Sequence, residues 1–126
     1  MDFLGRFAEA WRTKNVALNA DLFADDVRLS GAPYQPFEGK DATLAVFAML
    51  GEVLEELEYV AQYDRPGGVV LQVRGKVGGR SFDGVQILTL DDDGRIVECL
   101  DLIRPHTAGA ALLEASAKYI EAQSQA

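Results

Sequence analysis

Between residues 69 and 90 apolar and polar side chains alternate with a period of two. Val69, Leu71, Val73, Gly75 and Val77 fall on one side, Val70, Gln72, Arg74 and Lys76 on the other. This is the pattern of a half-buried strand, and Gly78-Gly79 supplies a two-residue turn. The predicted hairpin sets Val77 opposite Arg80, Gly75 opposite Phe82, Val73 opposite Gly84, Leu71 opposite Gln86 and Val69 opposite Leu88. One face is then apolar except for Gln86 and the rim residue Arg80. The other mixes Val70, Val85 and Ile87 with Gln72, Lys76 and Ser81, and puts Arg74 opposite Asp83, an opposite-charge pair that supports the register. A lone glutamine on an apolar face needs a partner, so Gln86 points to a lined pocket.

Upstream, Phe3, Phe7 and Trp11 recur at helical spacing. Asn15 is placed to cap a second helical stretch with Val16, Ala20 and Phe23 inward, closed by Asp25-Asp26. A short strand, Val27 to Ser30, leads to the segment Gly31 to Gly39, whose prolines and glycines argue against a regular element. A helix follows over roughly residues 41–54, with Leu44, Phe47, Leu50 (or Ala48) and Leu54 on its apolar stripe. The period then returns to two, grouping Leu57, Tyr59, Ala61 and Tyr63, and Arg65-Pro66-Gly67-Gly68 turns into the hairpin. Asp91 to Gly94 makes another tight turn, a strand runs from Arg95 to Arg104, and beyond Pro105 Thr107 is placed to cap a last helix carrying Leu112, Leu113, Ser116, Tyr119 and Ile120. Helices first and four or five antiparallel strands afterwards give an α+β domain over residues 1–126: a curved antiparallel sheet covered by N-terminal helices, a cone-shaped barrel with a C-terminal helix.

Composition narrows the chemistry. The 126 residues suit one domain with a core, and no apolar run approaches a bilayer span, so no membrane association is expected. The start, Met1-Asp2-Phe3, lacks the basic and apolar stretches of a secretory signal, and a cytoplasmic location is the expectation. A net charge of -8 with scattered Lys and Arg argues against nucleic acid. One cysteine, Cys99, excludes an intrachain disulfide, and one histidine, His106, excludes His-rich metal sites. Neither a GxGxxG run nor a phosphate-binding loop occurs, and no cofactor and no metal site are expected. The acidic run Asp91 to Asp93 reads as a solvated hairpin tip, because its carboxylates are contiguous and the later glutamate of a calcium loop is not at the required spacing.

Asp101 is the candidate acid–base group. Strict alternation leaves its face open: Val97, Cys99, Asp101 and Ile103 share one side, Ile96, Glu98, Leu100 and Leu102 the other, and a bulge at the preceding turn would exchange them. Facing inward, Asp101 would be a carboxyl whose charge is disfavoured by Phe82 and Ile103. The candidate lining is Phe7, Trp11, Tyr34, Phe47, Leu71, Phe82, Leu88, Cys99 and Ile103, of which Phe7 and Trp11 read more often as plain core and Tyr34 equally as a loop residue packed on proline.

Three runs, Phe23-Ala24-Asp25-Asp26-Val27, Pro36-Phe37-Glu38-Gly39-Lys40 and Leu90-Asp91-Asp92-Asp93-Gly94-Arg95-Ile96-Val97-Glu98, together with the element order, resemble the NTF2-like superfamily, in its SnoaL-like, ketosteroid-isomerase-like form. That resemblance spans nearly the whole chain and implies the cone-shaped fold. The superfamily holds isomerases, epoxide hydrolases, polyketide cyclases and non-catalytic transport factors, so fold does not choose a function. The tyrosine and the two aspartates of the steroid isomerases fall on or near Phe7, Gly31 and Gln86, and all three groups are missing. The epoxide hydrolases' last-strand aspartate falls on Asp101, while their arginine and second aspartate fall on Gly84 and Gln86. SnoaL-like cyclases also use an acid near Asp101. Two readings follow. One is a cofactor-free acid–base enzyme, an isomerase, cyclase or hydrolase of a small apolar organic molecule, with Asp101 transferring the proton and Gln86 orienting substrate or water. The other is a non-catalytic ligand-binding or protein-interaction module. In either case the half-apolar outer sheet face predicts a homodimer, and the resemblance implies the same.

Overall fold

A computed structural model describes residues 2–31 and 34–124, with the side chains of Tyr34 and Gln35 outside the described set. Helix α1 (Phe3–Thr13) starts where the Asp2 carboxylate accepts from the Gly5 amide at 2.8 Å, the side-chain cap that satisfies a free N–H of the first turn. Residues Val16–Leu22 form a 3-10 helix, not the second α-helix expected, and Asn15 makes no side-chain cap. Phe23 already belongs to strand β1 (Phe23–Gly31). The segment read as irregular holds strand β2 (Tyr34–Glu38), which pairs Leu29 with Phe37 and Arg28 with Glu38. Its Pro36 is tolerated because β2 lies at an edge of the sheet. Helix α2 (Lys40–Val53) is followed by β3 (Glu55–Arg65), β4 (Gly68–Val77), β5 (Arg80–Leu90), β6 (Ile96–Arg104) and α3 (His106–Ser124). Thr107 lies inside α3 and not at its cap. The Pro105 carbonyl instead accepts from the Ala108 and Gly109 amides at 3.0 and 3.3 Å.

The sheet has six strands, more than the four or five expected, in the order β2-β1-β6-β5-β4-β3. All neighbours are antiparallel except β1 and β6, which run parallel. The sheet is open, with β2 and β3 as edges, so the curved sheet is as expected but the barrel is corrected: it does not close on itself. Helix α1 packs on β3, α2 on β1 and β2, and α3 on β4, β5 and β6 as well as on α2. The main-chain amide of Leu4 donates to the Gln62 side chain at 3.0 Å and ties α1 to the β3 edge. Beneath the helices Phe7, Phe23 and Phe47 form an aromatic cluster with ring centres 5.8–6.3 Å apart.

The β4–β5 hairpin has the predicted register at every position from Val69↔Leu88 to Val77↔Arg80. Arg74 does face Asp83, but each side chain turns to its other neighbour: Arg74 to Glu58 on β3 at 2.8 Å, Asp83 to Arg104 on β6 at 2.7 Å. A charge ladder of alternating sign thus crosses four strands on the outer face. Tight backbone contacts bend the sheet. A Cβ placed on Gly84 would lie 2.1 Å from the Leu102 carbonyl oxygen, so only glycine allows β5 and β6 to approach there.

Two irregularities decide which side chains look inward. The register of β3 against β4 shifts between Tyr59 and Ala61, so Tyr59 is half-buried under the helices while Tyr63 is exposed on the outer face; uninterrupted alternation would put both on one side. The register of β5 against β6 shifts between Thr89 and Leu90, beyond which Leu88 pairs with Cys99 and Gln86 with Asp101. Gln86 is buried on the inner face, and Asp101 stands beside it.

Candidate functional site

The concave face of the sheet, α1, α2 and α3 enclose a cavity whose non-atom space is about 690 Å³, part of it open to solvent. Its wall is mostly apolar: Phe37, Leu57, Phe82, Ile103 and Leu112, with the Trp11 indole on the α1 side. Four polar side chains also line it, Ser30 from β1, Tyr59 from β3, Gln86 from β5 and Asp101 from β6. Convergent polar groups in an apolar hollow are the usual composition of a small-molecule site.

Asp101 is half-buried, and what surface it keeps lines the cavity. Desolvation among apolar neighbours raises its pKa to about 6, while hydrogen bonding from Cys99 and from the Gln86 amide favours the anion and limits the rise. The Cys99 thiol donates to Asp101 Oδ1 at 3.2 Å. Burial, and then the Asp101 charge, push that thiol's own pKa well up, which leaves it a hydrogen-bond donor and not a nucleophile. Gln86 reaches Tyr59 as well as Asp101, and its Oε1 is buried without a partner. Tyr59 keeps its proton, because burial raises its pKa well above the ordinary phenol value. Its oxygen accepts from Trp11 Nε1 at 2.5 Å. The phenolic proton remains to be donated. Acceptor, donor and titrating carboxyl therefore lie together at one end of an apolar space.

Of the residues anticipated from the sequence, Asp101, Gln86, Trp11, Phe82 and Ile103 line this cavity. Phe7 and Phe47 line a smaller chamber on the far side of Trp11, between α1, the 3-10 helix and α2. Leu71, Leu88 and Cys99 have no exposed surface and sit in the core behind the wall. β2 begins at Tyr34, but its side chain lies outside the described residues. Tyr59 was not singled out by sequence reasoning. Its cross-strand partner Val73 is inward on β4, yet the pairing of β3 with β4 carries two register shifts that no local pattern signals. Among the described residues no three His, Cys, Asp or Glu side chains are grouped to hold a metal, and no helix is long and apolar enough to cross a membrane.

The fold is shared with solved structures. A steroid delta-isomerase from Pseudomonas aeruginosa is 24% identical with a TM-score of 0.88, over 98% of this chain and 92% of that one. An uncharacterized bacterial protein with a cystatin-like fold from Silicibacter pomeroyi DSS-3 is 26% identical with a TM-score of 0.86, over 96% and 86%. A protein from Jannaschia sp. CCS1, proposed to be a SnoaL-like polyketide cyclase, is 18% identical with a TM-score of 0.67, over 85% and 88%. No curated protein matches by sequence. The SnoaL-like domain model matches residues 4–99, about three quarters of the chain and every element from α1 into the first half of β6. The protein therefore belongs to the SnoaL-like family and has its NTF2-like α+β fold.

Proposed function

We propose that the protein binds a small, largely apolar carbonyl compound and moves a proton on it without a cofactor, as an isomerase. The observation that carries this reading is Asp101, a carboxyl with a pKa near 6 facing an apolar cavity beside Gln86. At neutral pH its ionised form is available as a base, and its conjugate acid is strong enough to return the proton. The carboxylate takes a proton from the carbon next to the carbonyl. As that C–H bond breaks, the electron pair moves into an enolate whose oxygen accepts from the Tyr59 hydroxyl, held in place through Trp11 Nε1. Where the substrate carries a β,γ double bond the anion is a dienolate, and Asp101 returns a proton to its γ carbon as the double bond moves into conjugation with the carbonyl. Gln86 holds Asp101 through its N–H and offers Oε1 to a donor on the substrate or to water.

One carboxylate that takes and returns a proton suffices for isomerisation, which is why this reaction is favoured over hydrolysis or cyclisation. The fold relative named a steroid delta-isomerase supports the class. The groups here come from β3 and β6, however, and not from the positions near Phe7, Gly31 and Gln86 at which the resemblance places the steroid isomerases' tyrosine and aspartates. A cytoplasmic homodimer joined through the outer sheet face completes the reading.

The test is proton exchange into cyclohexanone and isomerisation of 3-cyclohexenone in deuterated buffer, followed by NMR. Exchange should accelerate as pH rises through about 6, and Asp101→Asn should lower it by at least about 100-fold while leaving binding intact. If these ketones bind but exchange only at the buffer rate, the catalytic reading fails and a ligand-binding module replaces it. If no apolar ligand binds, the fold serves contacts with other proteins.

A further inference from the structure

The Trp11 indole is a wall shared by two spaces. On one side lies the cavity with Asp101 and Gln86, and on the other a narrow chamber lined by Phe7, Ala10, Val16, Phe23, Leu44 and Phe47, whose non-atom space of about 300 Å³ is in part open solvent. The second chamber holds one polar side chain, Asn19 from the 3-10 helix, which is 5% exposed. Its Nδ2 donates to the Arg6 carbonyl at 3.2 Å, which fixes the amide, and its Oδ1 is buried with no hydrogen-bond partner. Gln86 Oε1 is in the same condition at the other end. Thr43 Oγ1 is likewise unmatched but lines neither space. An unmatched buried oxygen is costly, so an acceptor held in an otherwise apolar chamber calls for a donor brought in from outside.

We infer that the chamber beyond Trp11 is the far end of the ligand site, and that the ligand is an elongated apolar molecule with a hydrogen-bond donor at the end remote from Asp101. This rests on the proposed small-molecule function and adds the shape and polarity of its ligand. Trp11 is only partly buried, it is tied by the hydrogen bond from Nε1 to the Tyr59 hydroxyl, and on the α2 side its ring lies beside Gly51, where an added Cβ would be in ordinary contact with it at 3.5 Å. A ligand that fills both spaces does so by displacing the edge of the indole while Nε1 stays on the Tyr59 hydroxyl. The ligand's carbonyl then meets Tyr59 and Asp101, its apolar body passes the indole, and its far hydroxyl donates to Asn19 Oδ1.

Trp11 is the only tryptophan in the chain, so its fluorescence reports ligand at the partition. The full chain is titrated with cyclohexanone, 4-phenylcyclohexanone, 4-(4-hydroxyphenyl)cyclohexanone and the methoxy analogue of the last. The hydroxyl compound should bind about tenfold tighter than the phenyl compound, with the methoxy compound, which keeps the oxygen but not the proton, no tighter than phenyl. In Asn19→Leu the hydroxyl preference should vanish while cyclohexanone binds as before. Should that variant fail to fold, the comparison of methoxy with hydroxyl in the unaltered chain decides the same question. Equal binding of the hydroxyl and phenyl compounds, a preference that survives in Asn19→Leu, or binding of cyclohexanone with exclusion of the longer ketones overturns the extension and leaves the main cavity reading standing. Failure of all four ketones to bind overturns both.

Discussion

At the scale of single residues, Asp101 couples function to stability. A carboxyl whose folded-state pKa is raised above its unfolded value stabilises the fold by its protonated form. That contribution is complete below the unfolded value of 3.8 and is lost as pH rises through about 6. Asp101→Asn keeps the shape without the titration. The variant should match the parent chain near pH 4 and exceed it in urea unfolding at pH 8 by on the order of 2–3 kcal/mol. Equal pH dependence in the two proteins would place the carboxyl in water. Cys99 acts on the same group, because its thiol hydrogen bond favours the anion. Cys99→Ala should raise the Asp101 pKa further, read from the carboxyl carbon shift in an NMR titration, and the pH–rate profile should move with it.

Elements in this protein are placed by a few irregular positions. The aromatic stripe of α1 and the alternation of β4 and β5 are local, and they form where local chemistry puts them. The face that β3 presents is set by a bulge. Without the shift after Tyr59, the side chain that donates toward the cavity would share a face with Tyr63, which is exposed. The approach of β6 to β5 is set by Gly84. Gly84→Ala should cost about 2–3 kcal/mol in urea unfolding, because the methyl group meets the backbone oxygen of Leu102 and a main-chain atom does not rotate aside. A loss near zero would mean that the sheet relaxes at that point and that its curvature is set elsewhere.

The whole molecule wraps one face of the sheet and leaves the other uncovered. On that outer face Val70, Ile87 and Leu100 form one cross-strand row and Gln72, Val85 and Leu102 the next, bordered by the charge ladder from Glu58 to Arg104. Leu102 is 41% exposed and Tyr63 56%. A second copy is the proposed cover, related by the two-fold symmetry that a shared patch imposes. Ile87→Asp should shift sedimentation from dimer to monomer at micromolar concentration. An unchanged profile would put any interface elsewhere. The exposed ion pairs give the border its pattern and add little stability, so neutralising Glu58 should change assembly more than it changes the unfolding midpoint.

Periodicity, turn glycines and caps act over a few residues, and so the sequence by itself determined the β4–β5 register, the inward position of Gln86, the two long helices and the order of elements. It did not determine that residues 34–38 pair as a strand, because that pairing is with β1 and an edge strand tolerates proline. It left Asp101 on either face, since a single bulge at Thr89 and Leu90 reverses every side chain after it, and only the contact with β5 shows where the bulge falls. It read Arg74 and Asp83 as partners, and tertiary structure gave each a nearer one on another strand. Tyr59 and Asn19 were invisible as site residues for the same reason. A tyrosine in a strand and an asparagine near a helix end are ordinary locally, and they become a donor and an unmatched acceptor only when α1 brings Trp11 between them. Chemistry that depends on side chains far apart in the chain is decided by long-range packing, which local pattern does not encode.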